Sequence, residues 1–222
     1  MKGQLVHDDE VTAAIQRCQA GDINGWSTLI QQYQLPAQQF ALLLTGDRNT
    51  AEDLTQDTFV QAYRAIRQFR LGSAFAPWLY RIMINASRNR RRSGRAHHEV
   101  SLNRMLERGG EANLMSVEAL QHLSDPAEAV EHDEVRRAML AALAQLSPLL
   151  REAIVLRYYF GYPDAQIALI VRCQPAAVRK RLQRGINKLD YIIHEHYAWL
   201  LSDSGTSVLV SGTQEGRPHG AT

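Results

Sequence analysis

The chain has 222 residues, of which 45% are hydrophobic and 22% charged, and its formal net charge is +2. This length allows one large domain or two small ones, and no apolar run approaches the roughly 20 residues that a membrane-spanning helix needs. The acidic N-terminus does not resemble a signal peptide, and Cys18 and Cys173 form no metal-ligand or disulfide pattern, so we expect a cytoplasmic protein without membrane insertion.

Helical periodicity dominates the first 96 residues, and regular strand alternation is nearly absent. The first predicted helix stops at Gly21, and the second begins at Asn24. Pro36 is expected to bend or interrupt the second helix, and the Thr-Gly-Asp sequence at 45–47 marks its end.

A third predicted helix has two contrasting faces. Thr50 begins it in a predicted capping box with Asp53, and the helix is expected to end near Phe69. Apolar positions at helical spacing predict one buried stripe, made of Leu54, Thr58, Ala62, Ile66 and Phe69. The other face is rich in carboxylates and amides: Glu52, Asp53, Gln56, Asp57 and Gln61. Because a basic helix follows directly, we expect two different partners on neighbouring surfaces.

A short loop at 70–74 leads to a fourth predicted helix, for which Ser73 is the expected N-cap. Its expected buried face consists of Phe75, Leu79, Ile82 and Ala86. A second face carries polar residues at spacings of three or four, which suits a phosphate backbone: Arg81, Asn85, Arg88 and Arg92. Trp78 and Tyr80 lie beside these cations, and aromatic rings can stack on unpaired bases. The alternative is that they are core or rim aromatics.

The helical pattern loosens at about residue 97, and we predict a linker over residues 97–129. Apolar periodicity resumes at Val130. Pro148 begins a predicted helix that ends at Gly161, and a short helix follows from Asp164. Residues 198–222 are rich in Ser, Gly and Thr and are predicted to be a disordered tail.

The last predicted helix follows a turn at 172–174, begins at Pro175 and ends near His196, as in a helix-turn-helix. Its expected inward stripe is Val178, Leu182, Ile186 and Leu189. Its outward side chains are mainly arginine, lysine and glutamine, which can contact base edges in the major groove and phosphates. The alternative is a solvated amphipathic helix.

Charge is segregated along the chain. The net charge is −5 over residues 1–59, +9 over 60–108, −5 over 109–132 and +4 over 133–196. Two basic blocks separated by an acidic segment suggest two separate contacts with a polyanion. We also expect the acidic segment to compete with DNA for the basic blocks in the free protein.

These patterns, in this order, resemble the two DNA-binding domains of a bacterial sigma factor of the extracytoplasmic-function (ECF) type, in the sigma-70 family. The similar stretches are 51–59 and 75–85 in the first half of the chain, and 149–158 and 178–184 in the second half. The resemblance implies an all-α protein with a promoter-melting domain (region 2) at 1–96 and a helix-turn-helix domain (region 4) at 130–197. It implies an alternative sigma factor that binds core RNA polymerase and recognises the minus-10 and minus-35 promoter elements.

The resemblance also implies three contact surfaces. The surface for the clamp helices of the largest polymerase subunit comprises Asp53, Gln56, Asp57 and Phe59. The minus-10 surface comprises Arg70, Ser73, Trp78, Tyr80, Arg81, Asn85 and Arg88. The minus-35 surface comprises Arg172, Gln174, Ala177, Arg179, Lys180, Arg181 and Arg184. The expected partners are core polymerase, promoter DNA and an anti-sigma factor, which is common in the family.

Two departures from the family pattern concern the minus-35 surface. The family usually has glycine in the turn where this chain has Arg172, which predicts a strained or shifted turn. Ala176 and Ala177 replace the glycine and hydroxyl residues that are common at the start of the reading helix. The base preference of this chain therefore does not follow from the family pattern alone.

Catalysis has little support in the sequence. The His97-His98-Glu99 cluster lies in the linker, and His194 and His196 are two residues apart, so they do not share a helix face. There is no HExxH pattern, phosphate-binding glycine loop or GxSxG elbow, so we expect no enzyme, no metal and no cofactor. Two rival hypotheses remain. One is a conventional helix-turn-helix transcriptional regulator, which would bind duplex DNA specifically by itself, and the other is a nucleic-acid-processing enzyme, which would need a catalytic cluster.

Overall fold

The computed structural model describes residues 7–98 and 126–198, with side chains placed for 9–92 and 135–198. Every regular element in these ranges is helical, which confirms the all-α prediction. The elements are α1 (His7–Gln19), α2 (Ile23–Thr45), α3 (Arg48–Ala65), a 3₁₀ turn (Ile66–Gln68), α4 (Phe75–His98), α5 (Pro126–Ala144), α6 (Pro148–Ile154), α7 (Asp164–Val171) and α8 (Pro175–His196). Residues 99–125 of the predicted linker and 199–222 of the predicted tail lie outside the described residues.

Helix α2 runs through Pro36, so of the predicted bend or interruption the interruption does not occur. Proline removes one backbone hydrogen bond inside a helix, but tertiary packing on both sides can hold the helix together. Leu29 precedes the proline by two turns and Phe40 follows it by one, and both side chains are fully buried. Their burial anchors both halves of α2 in the same core.

The turn between α2 and α3 places the start of α3 differently from the prediction. Gly46 adopts a left-handed conformation (φ +76°) that ends α2, and its N–H donates to the Leu42 carbonyl over 2.8 Å. Asp47 is then the first extended residue, and its carboxylate accepts from the Thr50 N–H over 2.7 Å. Asp47, and not Thr50, is therefore the N-cap of α3. A hydrogen bond with the Thr50 side chain and, to a smaller extent, the bond from the Thr50 N–H lower the pKa of the Asp47 carboxyl.

The predicted stripe is confirmed, since all five of its residues are buried, but α3 itself ends at Ala65, before the predicted end near Phe69. Around the following loop, aromatic side chains pack closely. Phe69 lies 5.0 Å from Trp78 and 5.8 Å from Phe75 between ring centroids, and Phe75 contacts Tyr33 at 4.9 Å. This cluster fixes the loop at 70–74 against the start of α4.

The second half of the chain forms the predicted helix-turn-helix. Pro148 occupies the first turn of α6, which continues as a π-helical segment (Val155–Tyr159). The buried face of α7 contains Ile167, Ala168 and Ile170, as predicted. Arg172 then adopts a left-handed conformation (φ +56°), the only non-glycine residue with a positive φ in the described ranges, which agrees with the expected strained turn.

The inward stripe of α8 differs from the prediction at one position. Val178 and Leu182 are buried, but Ile186 is 40% exposed. Gly185 takes its place, and a Cβ atom at Gly185 would lie 2.7 Å from Ile154 Cγ1 of α6. The two helices approach so closely here because Gly185 has no side chain.

The two halves of the chain contact each other. Helix α4 packs on α7, and α2 packs on α5 and α6. Phe160, which follows α6, lies 5.3 Å from Phe40 and 5.0 Å from Tyr80 between ring centroids. The buried apolar side chains of both halves therefore form one continuous core. None of the helices in the described ranges is both long and apolar enough to cross a membrane.

Candidate functional surfaces

Helix α3 presents an exposed acidic and amide face to solvent. Asp53, Gln56 and Asp57 all lie on it with their side chains exposed. Arg90 of α4 donates to one Asp57 carboxylate oxygen from Nε (3.1 Å) and Nη2 (2.7 Å). Its Nη1 atom lies 3.7 Å from Asp53. The acidic face is thus partly screened by one arginine but remains open to a partner.

This face continues along α3 into apolar residues that the sequence prediction did not include. Val60 and Tyr63 are both exposed, at helical spacing from Asp57. Exposed apolar side chains that continue a polar face are typical of protein contact sites. In the sequence, the helical spacing of Val60 and Tyr63 from the acidic residues could have indicated that they share this face, whereas their residue types could not.

Phe59 does not lie on the acidic face, so its predicted place in that surface is wrong. Its side chain is only 8% exposed and packs edge-on against Trp26 at 6.1 Å. The reason is that α3 packs on both α2 and α4, so it buries two adjacent rows of side chains. Phe59 supports the face from beneath.

The loop at 70–74 and the start of α4 bring together three residues of the predicted minus-10 surface. Arg70 and Ser73 are exposed, and the Ser73 N–H donates to the Arg70 carbonyl over 3.2 Å. Trp78 is partly buried against Phe69. Arg70 and Ser73 thus form a small exposed rim beside the packed aromatic side chains of Trp78 and Phe69. Since α4 begins at Phe75, Ala74 rather than Ser73 directly precedes the helix.

Tyr80, by contrast, is covered in this structure and not exposed for stacking on a base. It is 3% exposed and lies between Phe40 and Phe160, with Tyr162 at 6.2 Å. Burial, with smaller contributions from Tyr162 and Tyr33, raises the pKa of its hydroxyl. Burial likewise raises the pKa of Tyr162 to about 12. Both phenols are therefore neutral at ordinary pH.

The polar residues of α4 divide into two groups. Arg81 and Asn85 are partly exposed, and Arg92 is exposed. Arg88, however, donates through Nε and Nη2 to the carboxylate of Glu152 on α6. Arg88 therefore pairs with a carboxylate from the second half of the chain and is not part of an open row of cations along α4.

Glu152 is a functional candidate that the sequence analysis missed. Its side chain is 1% exposed, and it also accepts from Arg91 Nη2 at 3.3 Å. A buried carboxylate is tolerated when it is paired and hydrogen-bonded in this way. The signal in the sequence was one acidic residue, next to Arg151, among the apolar residues of 149–156.

The polar face of α8 is largely free for contact. Arg179, Lys180 and Arg184 are exposed, as are Arg172 and Gln174 in the turn before the helix. Ala177 and Arg181 are only partly exposed, and one guanidinium nitrogen of Arg181, Nη1, is buried without a hydrogen-bond partner among the described residues. The helix offers several cations on one side, which suits binding to a polyanion.

These surfaces are charged and aromatic, and they do not form a reactive cluster. Within the described residues, no three His, Cys, Asp or Glu side chains are grouped as metal ligands. The arrangement suits recognition of macromolecules by shape and charge.

Comparisons with known proteins give the family. The model of Sigma-70 region 2 matches residues 29–97, and that of Sigma-70 region 4 matches residues 136–189. The RNA polymerase sigma-H factor of Pseudomonas aeruginosa is 30% identical over 184 residues, which cover 79% of this chain and 90% of that protein. This chain belongs to the sigma-70 family, as a sigma factor of the ECF type.

Other relatives agree with this assignment. The ECF RNA polymerase sigma-E factor of Escherichia coli K12 is 31% identical over 183 residues, with 79% of this sigma factor and 90% of that protein covered. Among solved structures, RpoE of Bartonella quintana, in complex with the anti-sigma factor NepR, is 26% identical. The match covers 75% of this chain and 97% of the RpoE chain, with a TM-score of 0.59. CnrH, solved with the cytosolic domain of CnrY, shares the fold at 22% identity. The match covers 88% of this chain and 99% of the CnrH chain, with a TM-score of 0.58.

Sigma factors are transcription initiation factors that work with RNA polymerase, and this chain is one of them. The family models match its two halves in the order that the sequence analysis expected.

Proposed function

We propose that this chain is an alternative sigma factor that brings core RNA polymerase to promoters with distinct minus-10 and minus-35 elements and supports opening of the duplex. The observation that carries the proposal is the combination, in one chain, of a region 2 match with an exposed acidic face on α3 and a region 4 match with an exposed basic helix, α8. The proposed activity takes place in the cytoplasm, where the polymerase works.

The proposed docking surface for the polymerase clamp is the face of Asp53, Gln56 and Asp57, extended by Val60 and Tyr63. Carboxylates give such a surface its charge complementarity and rate of association, while apolar neighbours exclude water from the contact. Arg90 occupies one side of Asp57 and would have to share or release that carboxylate when a partner binds. Phe59 contributes by holding the helix surface in place and not by contact.

The proposed minus-35 contact is the exposed face of α8. Its side chains Arg179, Lys180 and Arg184 would contact base edges in the major groove. Arg172 and Gln174, in the turn before α8, are positioned to approach the phosphate backbone. Ala177 offers only a methyl group, which suits an apolar contact with a thymine methyl. Arg181 is the least accessible of the set and would reach DNA only with part of its guanidinium.

The proposed minus-10 contact starts at the exposed rim of Arg70 and Ser73 and continues along Arg81 and Asn85 of α4. Trp78 is the aromatic residue best placed to stack on an unpaired base, since it lies beside the rim and is partly exposed. Tyr80 and Arg88 would join this surface only after the second half of the chain moves away from α4, because Phe160 and Glu152 cover them in the structure.

We therefore propose that the structure is the closed form of the free factor and that polymerase binding separates its two halves. The contacts that must break are the Tyr80 contacts with Phe160 and Tyr162 and the bonds from Arg88 and Arg91 to Glu152. Opening separates the Glu152 carboxylate from Arg88 and Arg91 of the promoter-melting half. Both arginines can then contact promoter DNA.

An anti-sigma factor is the third proposed partner. RpoE of Bartonella quintana, whose solved structure resembles this chain, is in complex with the anti-sigma factor NepR. A partner of this kind would act by holding the two halves together or by covering the α3 face.

A binding and transcription assay tests the proposed function. Purified chain should form a complex with core polymerase and confer promoter-directed initiation, neither of which a conventional helix-turn-helix regulator does. Specific binding to duplex DNA by the free chain, with no effect on core polymerase, would favour the regulator instead.

A further inference from the structure

A cavity of about 200 Å³ lies where the two halves of the chain meet, among α2, α3, α4 and α6. Its polar lining consists of Arg90, Arg91 and Arg151 together with the hydroxyl-bearing residues Thr45, Thr50 and Ser87. The remaining lining residues are leucines and a proline, and no carboxylate lines it. A cavity lined by three cations and three hydroxyl groups has the composition of an anion site.

Arg151 is the residue whose charge is least balanced. Its Nη1 atom donates to the Leu44 carbonyl over 2.7 Å, and its Nη2 atom donates to the Ala144 and Leu146 carbonyls. It forms no ion pair among the described residues, and its Nε atom is buried without a hydrogen-bond partner there. Carbonyl groups orient the guanidinium but do not neutralise it.

Arg91 adds to this excess of positive charge. It shares the single carboxylate of Glu152 with Arg88, so one anion serves two cations. Burial and the nearby charge of Arg91 both lower the pKa of Arg151, although Glu152 acts in the opposite direction. The two guanidiniums repel each other across the cavity.

Arg90 is the outermost of the three cations. It is already paired with Asp57 on the exposed surface. The unbalanced charge is therefore concentrated on Arg91 and Arg151, one from each half of the chain.

We propose that this cavity binds a small phosphate-type anion, held between Arg91 of α4 and Arg151 of α6. Planar guanidinium groups bind phosphate oxygens in pairs, and an anion would relieve their mutual repulsion. The volume is below the roughly 300–1,000 Å³ of pockets for drug-sized ligands, which favours inorganic phosphate, pyrophosphate or a single phosphate group over a whole nucleotide.

Binding at this position would couple a small anion to the closed form, because the two main ligands belong to different halves. A ligand that binds only the closed form stabilises it by mass action. This consequence for activity rests on the proposed function, whereas the site itself does not.

Calorimetric titration of the full chain with inorganic phosphate and with pyrophosphate tests the site, without polymerase and with ionic strength held constant by chloride. We expect saturable binding of at least one anion, with a matching rise in melting temperature. Arg91→Gln should weaken binding about tenfold or more, since it removes a charge-assisted hydrogen-bond donor pair. Arg67→Gln removes an exposed arginine outside the cavity and should leave the affinity unchanged.

Arg151→Gln should weaken binding at least as much as Arg91→Gln, and if that variant fails to fold, Arg91→Gln decides. A response that chloride reproduces, or that Arg91→Gln and Arg67→Gln change equally, would overturn the proposal and leave only a general effect of ions on a basic surface. Because polymerase is absent from the titration, such a failure says nothing against the sigma-factor activity.

Discussion

Arg88, on α4, donates two hydrogen bonds to the buried carboxylate of Glu152, on α6, and so joins the two halves of the chain. Arg88 belongs to the predicted DNA surface, and we propose that the Glu152 carboxylate takes the place that a DNA phosphate would occupy there. The sequence suggested that the acidic segment at 109–132 would compete with DNA in this way. Much of that segment lies outside the described residues, whereas Glu152 is a carboxylate that the structure places on two arginines of α4.

Glu152→Gln keeps the shape of this side chain and removes its charge. We expect the free energy of unfolding to fall by about 1–3 kcal/mol, because two arginines lose a buried charged acceptor. We also expect the free chain to bind a single-stranded oligonucleotide more tightly, since Arg88 and Arg91 become available to phosphate. Chemical denaturation and fluorescence anisotropy measure the two effects.

The matched control for this variant is Glu52→Gln. Glu52 pairs with Arg48 on the surface, at 2.8 Å and largely in solvent, so its loss should change stability by less than about 0.5 kcal/mol. If Glu152→Gln loses stability without any gain in DNA affinity, the pair is structural and does not mask the DNA surface.

Asp57→Arg tests the docking face on α3. The variant should lose most of its affinity for core polymerase, because the substitution reverses a charge at the centre of the face. Its helical circular dichroism and melting temperature should be nearly unchanged, since the exposed pair with Arg90 is worth only about 0–1 kcal/mol. Asp190→Arg, the same change at an exposed site on α8, is the control. Equal polymerase binding by Asp57→Arg and the parent would show that the face is assigned incorrectly.

Arg184→Ala tests readout by α8. Because this side chain is exposed and α8 does not need it for packing, its loss should cost about 1–3 kcal/mol at preferred minus-35 sequences if it makes a bidentate base contact. A cost that is equal across unrelated sequences would place it on phosphate. Lys188→Gln is the comparison variant. The Lys188 ammonium group lies 4.6 Å from the centroid of the Tyr191 ring, so this cation already has a contact within the protein. Binding measured on a panel of duplexes separates these outcomes, and no effect of Arg184→Ala on any duplex would contradict the contact.

Gly185→Ala tests the packing of α8 on α6. Alanine normally stabilises a helix relative to glycine by about 0.5–1 kcal/mol. Here the added Cβ would meet Ile154 Cγ1 at 2.7 Å, so we expect a net destabilisation of about 1–3 kcal/mol by overpacking. Ile186→Ala, at the exposed neighbour, should cost much less. Thermal melting of both variants decides, and a more stable Gly185→Ala would mean that the helices can move apart freely.

The parts of the fold that were predictable depend on local periodicity. The α3 stripe, the stop at Gly46 and the α7–α8 turn each rest on signals within a few residues of one another, and the structure confirms all three. Where a helix buries more than one row, the same reasoning fails. The predicted single stripe did not include Phe59, which the family resemblance placed in the docking surface, whereas α3 packs on two neighbours and buries this side chain.

Contacts between distant parts of the chain gave no comparable signal. Glu152 lies 64 residues from Arg88, and Tyr80 meets Phe160 from the other half of the chain. Gly185 was overlooked for a different reason. Periodicity counts apolar side chains, and a glycine at a close helix contact has none to count, so Ile186 was assigned the inward position.

The most direct test of the central claim is initiation by core polymerase on a library of random promoter-sized DNA fragments, with and without this chain. Sequencing the transcript start sites should show starts that appear only when the chain and core polymerase are both present. Upstream of those starts, two short motifs should be enriched at one fixed spacing, as two DNA-contacting regions in one protein require. Asp57→Arg should abolish these starts. If the chain adds no new starts to core polymerase, or adds them equally with Asp57→Arg, the account of this protein as a polymerase-bound promoter-recognition factor is contradicted.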